Sequence, residues 1–202
     1  MDTAVFWSWF VGKEAELRDV SEHGEDVLDE LYDKLNEVAE GLGFEIGGSP
    51  DGPLELIITA EGDEDLFPAV YCLAESAPDI DGWEIVALKP PRGFDFIATY
   101  GDRSVDPDDV WFLEIESEER PGELGIRVAL EGDTEGDVDD LMTCLLGVME
   151  AGIGEISLAC DVGHLEYTEP PEDPVAEGWK PLRELPEVIE SWKQRHPSVT
   201  GS

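Results

Sequence analysis

Between residues 25 and 42 the apolar positions recur every three or four residues. Val27, Leu28, Leu31, Leu35, Val38 and Leu42 share one stripe, with Glu25, Asp29, Asp33, Glu37 and Glu40 opposite. That spacing is the period of an amphipathic helix, and Gly41 and Gly43 supply its stop. A shorter aromatic helix is expected over 5–18 from Phe6, Trp9, Phe10 and Leu17, laid as a lid on a sheet. The period then drops to two. Leu54, Leu56, Ile58 and Ala60 fall on one face of a strand, and Glu55, Thr59 and Glu61 on the other. Gly62 and Asp63 turn the chain into a helix over 65–78, with Leu66, Val70, Leu73 and Ala77 inward and Pro78 closing it. Two strands follow, Trp83 to Lys89 and Phe94 to Tyr100, joined by Pro90-Pro91-Arg92-Gly93.

The same alternation then returns. Trp111, Leu113 and Ile115 predict a strand, Pro121 and Gly122 a turn, and Leu124, Ile126, Val128 and Leu130 a second strand. A helix over 136–151 carries Val138, Leu141, Met142, Leu145, Val148 and Met149, and Gly152 and Gly154 end it. Ile156, Leu158 and Cys160 read as a strand, and Gly163 to Thr168 as another. Segment 52–63 lies over 122–133 without a gap, sharing the leading Gly, the Leu two places on and the Glu-Gly-Asp ending. The expected fold is therefore α+β: two ββαββ-like units from an internal duplication, with antiparallel sheets and helices packed on them. Four stretches are expected within one compact domain: an N-terminal helical segment (1–43), a first unit (44–103), a second unit (104–169), and a Pro-rich crossing with a C-terminal helix (170–202). That last helix, near 184–195, carries Leu185, Val188, Ile189 and Trp192, and Trp179 to Leu182 is expected to dock on the body.

Charge changes the picture more than any motif. Fifty Asp and Glu stand against twelve Lys and Arg, a formal net charge of −38, in a chain that is nonetheless 41% hydrophobic with six Trp. Such a chain has material for a core and is not disordered. Carboxylates in this number repel one another at ordinary ionic strength, whereas at molar salt the Debye length shrinks to about 3 Å and the repulsion is quenched. The composition is that of a protein kept soluble in a salt-rich cytoplasm. The same charge sets the chain against nucleic acid, whose phosphates need Lys and Arg, and against anionic membranes. No run approaches the roughly 20 apolar residues of a membrane span, and with an aromatic start and Asp2 in place of basic residues no signal peptide is expected. Cys72, Cys144 and Cys160 are expected to be buried free thiols of a reducing compartment.

The chain has no GxSxG elbow, P-loop, GxGxxG, HExxH or CxxC pair. Three acidic clusters (Glu61-Asp63-Glu64-Asp65, Asp106-Asp108-Asp109 and Asp137-Asp139-Asp140) lack the alternating oxygens and terminal Glu of an EF-hand loop, and read as helix N-terminal acids. With three scattered His and no paired Cys, no metal or cofactor is expected. His164, beside Asp161 and Glu166, is a general-base candidate for a hydrolase of unfamiliar class. A sheet-surface His with acidic neighbours explains the same residues. The second candidate is the basic and aromatic spot made by Lys89, Arg92 and Phe94, with Arg103 following. In a field of carboxylates it suits a small anionic ligand or the acidic segment of a partner protein. A plain hairpin whose cations pair with nearby acids and whose Phe residues are core accounts for it as well, and is the preferred reading.

Several segments carry a resemblance: Phe6-Trp-Ser-Trp-Phe10, Leu56 to Gly62, Leu66-Phe67, Ala77-Pro78, Trp83, Lys89 to Phe96, Val110-Trp-Phe112 and Glu184-Leu-Pro186. In these the chain resembles a widespread family of uncharacterised bacterial proteins of similar length, in a more acidic version. The resemblance implies no activity, ligand or catalytic residue.

The residues thus point to a non-enzymatic binding or regulatory protein of a salt-adapted cytoplasm, its partner an unknown protein or a small anionic ligand. The hydrolase built on His164 is the alternative. The charge predicts that the thermal midpoint, followed by circular dichroism, climbs steadily between about 0.1 and 3 M KCl. A flat or falling midpoint contradicts the salt-adapted reading.

Overall fold

The stripe from Val27 to Leu35 forms helix α2 (Asp26–Val38), and the aromatic run before it forms α1 (Thr3–Arg18). They belong to a computed structural model that describes residues 3–19, 25–48, 52–100, 103–116, 123–132 and 138–196. The chain divides between Lys89 and Pro90 into two units, each with its own apolar core.

In the first unit α1 buries Phe6, Trp7, Phe10 and Leu17. The Phe10 ring meets Trp83 edge to face at 5.1 Å, and Trp7 Nε1 donates to the Leu73 carbonyl at 3.0 Å. The aromatic N-terminal helix is therefore built into the core by packing and by a hydrogen bond that satisfies its buried indole. Strands β1 (Gly43–Gly48) and β2 (Leu54–Thr59) form an antiparallel pair. Helix α3 (Phe67–Glu75) then carries the chain over to β3 (Trp83–Ala87), which lies parallel to β2. A parallel neighbour requires such a crossover, and β2 becomes the central strand. Leu56, Ile57, Ile58 and Thr59 are all buried, so the outward Thr59 expected from alternation is not found. A strand buried on both faces shows an apolar run in place of alternation. Asp63 caps the turn before α3, its side chain accepting from Asp65 N at 3.0 Å.

The second unit opens with a hairpin, β4 (Ala98–Tyr100) and β5 (Arg103–Val105). Then come β6 (Val110–Glu116), β7 (Leu124–Leu130), α4 (Val138–Ile153), α5 (Glu155–Asp161), β8 (Val162–Tyr167), β9 (Lys180–Pro181) and α6 (Leu185–Arg195). The sheet order is β8-β7-β6-β9, with β8 parallel to β7 and the other pairs antiparallel. Phe112, Ile126, Val128, Leu145, Met149, Leu185 and Ile189 belong to its core. The Trp179–Leu182 segment docks as expected: Lys180 and Pro181 pair with Phe112 and Trp111, and Leu182 is fully buried.

The architecture is α+β, and several finer expectations change. Each of the two larger sheets contains an antiparallel pair followed by a helical crossover to a parallel strand, ββαβ and not ββαββ. Residues 156–160, read as a strand, are helical in α5. Gly154, at φ 83°, stops α4 and starts α5: its N–H donates to Glu150 O at 2.7 Å and its carbonyl accepts from Leu158 N at 3.0 Å. Only a glycine takes that backbone without strain. The expected strand from Phe94 shrinks to β4, because Pro90, Pro91 and Gly93 (φ 76°) hold the preceding chain out of a ladder. Helices α1 and α2 bury their apolar faces in the first unit's core. The hairpin at 98–105 lies beyond the division, in the second unit. Cys72 and Cys160 are exposed, on the outer faces of α3 and α5, while Cys144 is buried. Among the described residues no single helix is long and apolar enough to cross a membrane.

On β6 the strand expected from Trp111, Leu113 and Ile115 turns its other face to the core. Val110 and Phe112 are buried, whereas Trp111, Leu113 and Ile115 are half-buried on the other side. Both parities of that strand are apolar, so period alone does not choose between them. Phe112→Ala should cost about 3–5 kcal/mol and Leu113→Ala clearly less, read from urea midpoints in molar KCl. The opposite order would place the core on the Trp111 face.

Candidate functional site

Two prolines and a glycine shape a concave surface of the second unit. Pro91 fixes its own φ, Gly93 turns in the left-handed region, and Arg92 N donates to Ala151 O at 2.7 Å, which ties this link to the end of α4. Phe94 then enters the core, with its ring lying where a Cβ on Gly152 would have to stand. Gly154 bends the chain by 109° into α5, and α6 closes the remaining side. The link contributes Pro91 and Gly93, the end of α4 Gly152 and Ile153, α5 Ser157, and α6 Pro186, Ile189 and Glu190. They line a pocket of about 320 Å³, at the small end of the range for ligand sites.

Its polar lining residues, Ser157 and Glu190, are backed by a short chain of contacts between α5 and α6. Ser157 Oγ donates to Asp161 Oδ2 at 2.6 Å, one helical turn along. Lys193 Nζ stands 2.6 Å from the same oxygen and 3.5 Å from Glu190 Oε1. The Asp161 side chain is only 8% exposed, so its charge needs both donors. Partial burial disfavours the Lys193 ammonium, but the Asp161 and Glu190 carboxylates outweigh it and raise the pKa above the usual lysine value. Lys193 stays charged and the Ser157 proton is held by a carboxylate. Neither group is poised to accept a proton.

The residues singled out from the sequence are dispersed. His164 lies on the edge strand β8 with its side chain about half exposed, Nε2 3.5 Å from Glu166 Oε2. Glu166 is hydrogen-bonded to Arg127 on β7, and that guanidinium holds its carboxyl below the usual range. Asp161 is engaged by Ser157 and Lys193. Lys89 Nζ stands 3.4 Å from Glu61 and 3.7 Å from Glu45, in the first unit. Arg92 and Phe94 stand at the pocket link as described. Arg103 pairs with Tyr100 through its backbone in β5, and its side chain lies outside the described residues. Asp106 caps a turn by accepting from Asp108 N at 3.0 Å, and Asp137 lies outside the described residues. Among the described residues no group of three or more His, Cys, Asp or Glu is placed to hold a metal ion.

What the sequence reading passed over is the cationic C-terminus. Lys180, Arg183, Lys193 and Arg195 are four of the twelve basic residues, gathered in sixteen positions. Arg183 bridges Asp108 and Asp95, Nη1 standing 2.6 Å from Asp95 Oδ1, above a shallow depression flanked by Phe94, Phe96 and Ile97. Both carboxylates raise its pKa further. Glu114 accepts from Lys180 at 2.6 Å and Arg195 at 3.1 Å. Partial burial works against its charge, but the two cations outweigh it and hold its carboxyl below the usual range. The signal available was compositional: a run of cations in a chain that has few.

Against protein-family models, curated proteins and solved structures alike, the chain finds no match.

Two expectations follow from this geometry. A carboxyl whose pKa is depressed in the folded state stabilises above its unfolded pKa, and that stabilisation disappears as pH falls through the folded value. Glu114→Gln should therefore cost about 1 kcal/mol at pH 7, with the difference from wild type shrinking in denaturant melts as pH falls below the unfolded glutamate value of about 4.3. A gap that persists into acid would assign the loss to packing. Gly152→Ala has to displace the buried Phe94 ring and should cost about 1–3 kcal/mol by the same assay; a neutral result would show that the ring moves freely.

Proposed function

We propose that this protein binds a small molecule without transforming it, in the pocket between the Pro91–Gly93 link, α4, α5 and α6, and that it does so in a salt-rich cytoplasm. The observation that carries the reading is the state of the pocket's polar wall. The Ser157 hydroxyl on the wall is held by Asp161 behind it, which Lys193 neutralises, so the wall offers a fixed hydrogen-bonding group and no free nucleophile–base pair. The apolar remainder of the lining, from Ile153, Pro186 and Ile189, suits a ligand's hydrophobic body. The net charge of −38 supports the salt-rich setting.

The hydrolase alternative needs a base and a nucleophile around one cavity. His164 is half exposed on an edge strand, and its carboxylate neighbour is shared with Arg127. That arrangement favours the binding reading.

A thermal-shift panel of polar and amphiphilic metabolites in molar KCl tests it. A ligand present at about a hundred times its dissociation constant adds about 2.7 kcal/mol, a clear rise in midpoint. The expected hit perturbs the amide resonances of Gly93, Gly152 and Ile189. Turnover of any compound, or a ligand that perturbs other residues instead, would overturn the proposal.

A further inference from the structure

The pocket's hydrogen-bonding character is one-sided. Pro91 and Pro186 have no N–H to offer, and the Ser157 proton is already given to Asp161, which leaves that hydroxyl its lone pairs. Glu190 adds a carboxylate, which only accepts. Among the described residues its cationic neighbour is Lys193, which is drawn 2.6 Å onto Asp161 and stands 3.5 Å from Glu190, so the Glu190 charge is loosely held. Pro186, Ile189 and Glu190 follow at helical spacing on one face of α6, which places that carboxylate beside the apolar surface of Ile189.

Resting on the binding reading above, we propose that the pocket takes a small organic monocation: a protonated amine on an apolar ring or short chain. The body lies against Ile153 and Ile189, and the ammonium donates to Glu190 and the Ser157 oxygen. The side-chain groups that the pocket presents, the Glu190 carboxylate and the Ser157 oxygen, are acceptors, and they match an ammonium, which has three donors and no acceptor. An anion would meet Glu190 at its own charge, within a molecule of net charge −38. The same field concentrates cations near the surface.

Three matched probes of one shape test this: benzylamine, benzyl alcohol and benzoate, titrated near pH 7 at one fixed KCl concentration and followed through backbone amide resonances. Benzylamine should move Gly93, Gly152 and Ile189 and bind about threefold or more tightly than benzyl alcohol, the increment expected of a partly exposed ion pair. Benzoate should be the weakest. Glu190→Gln should bring amine and alcohol to similar affinity, while Glu187→Gln, on the same helix outside the pocket, should keep the preference. Glu190 is exposed, and an otherwise unchanged spectrum verifies that the variant is folded. Alcohol or benzoate binding there as tightly as the amine overturns the cation proposal and leaves the binding pocket standing. Silence of those three amides toward all three probes overturns both.

Discussion

Positive charge is the scarce material of this molecule, and its placement governs how fifty carboxylates are tolerated. Twelve Lys and Arg cannot neutralise them, and long-range repulsion is left to the solvent ions. What the cations do is local. Lys89 sits between Glu45 and Glu61, Arg183 between Asp95 and Asp108, and Lys193 between Asp161 and Glu190. Each is shared where two acids would otherwise face one another. Glu114 is the inverse case, a partly buried acid given two cations, Lys180 and Arg195. Salt that quenches repulsion across many ångströms weakens contact pairs less when they are partly buried. The two roles are therefore compatible in one solvent.

Where burial follows a single period, the sequence was a sufficient guide. The α2 stripe, the Val70 and Leu73 face of α3 and the Leu185–Trp192 face of α6 all pack as their spacing implies. Reading failed where apolar residues occupy both parities or too short a run. Val110 to Ile115 is apolar on both sides of β6, so the choice of core face is a tertiary outcome. Residues 156–160 alternate like a strand, yet the reversal at Gly154 and the partners of Ser157 and Asp161 hold them as a helical turn and a half. Five residues are too few for period to decide.

The pocket was legible only in part. Pro91 and Gly93 drew attention as an unusual link, and they do wall it. Its polar side joins α5 to α6, and nothing in the spacing of Ser157, Asp161 and Lys193 announces that they meet. Arg183 likewise reaches Asp95 from 88 positions away. Long-range pairing of charges leaves no periodic trace when every surface stretch is acidic, because any carboxylate is as plausible a partner as any other. The basic residues first noticed, Lys89 and Arg92, stand out by composition but are used for anchoring. Lys89 is held by two glutamates, and the backbone of Arg92 is fixed to α4.

The order of charges along the chain bears on synthesis. The pairs of Lys13, Arg18, Lys34 and Lys89 close among residues up to 89, so a growing chain completes the first unit's cationic complement as that unit emerges. The second unit is different. Asp95, Asp108, Glu114 and Asp161 are made early, while their partners Lys180, Arg183, Lys193 and Arg195 come last. The strand and helix that finish its core, β9 and α6, come with those same residues. Translation thus delivers these neutralising charges and the closing apolar face together, after the rest of the second unit's sheet has been made.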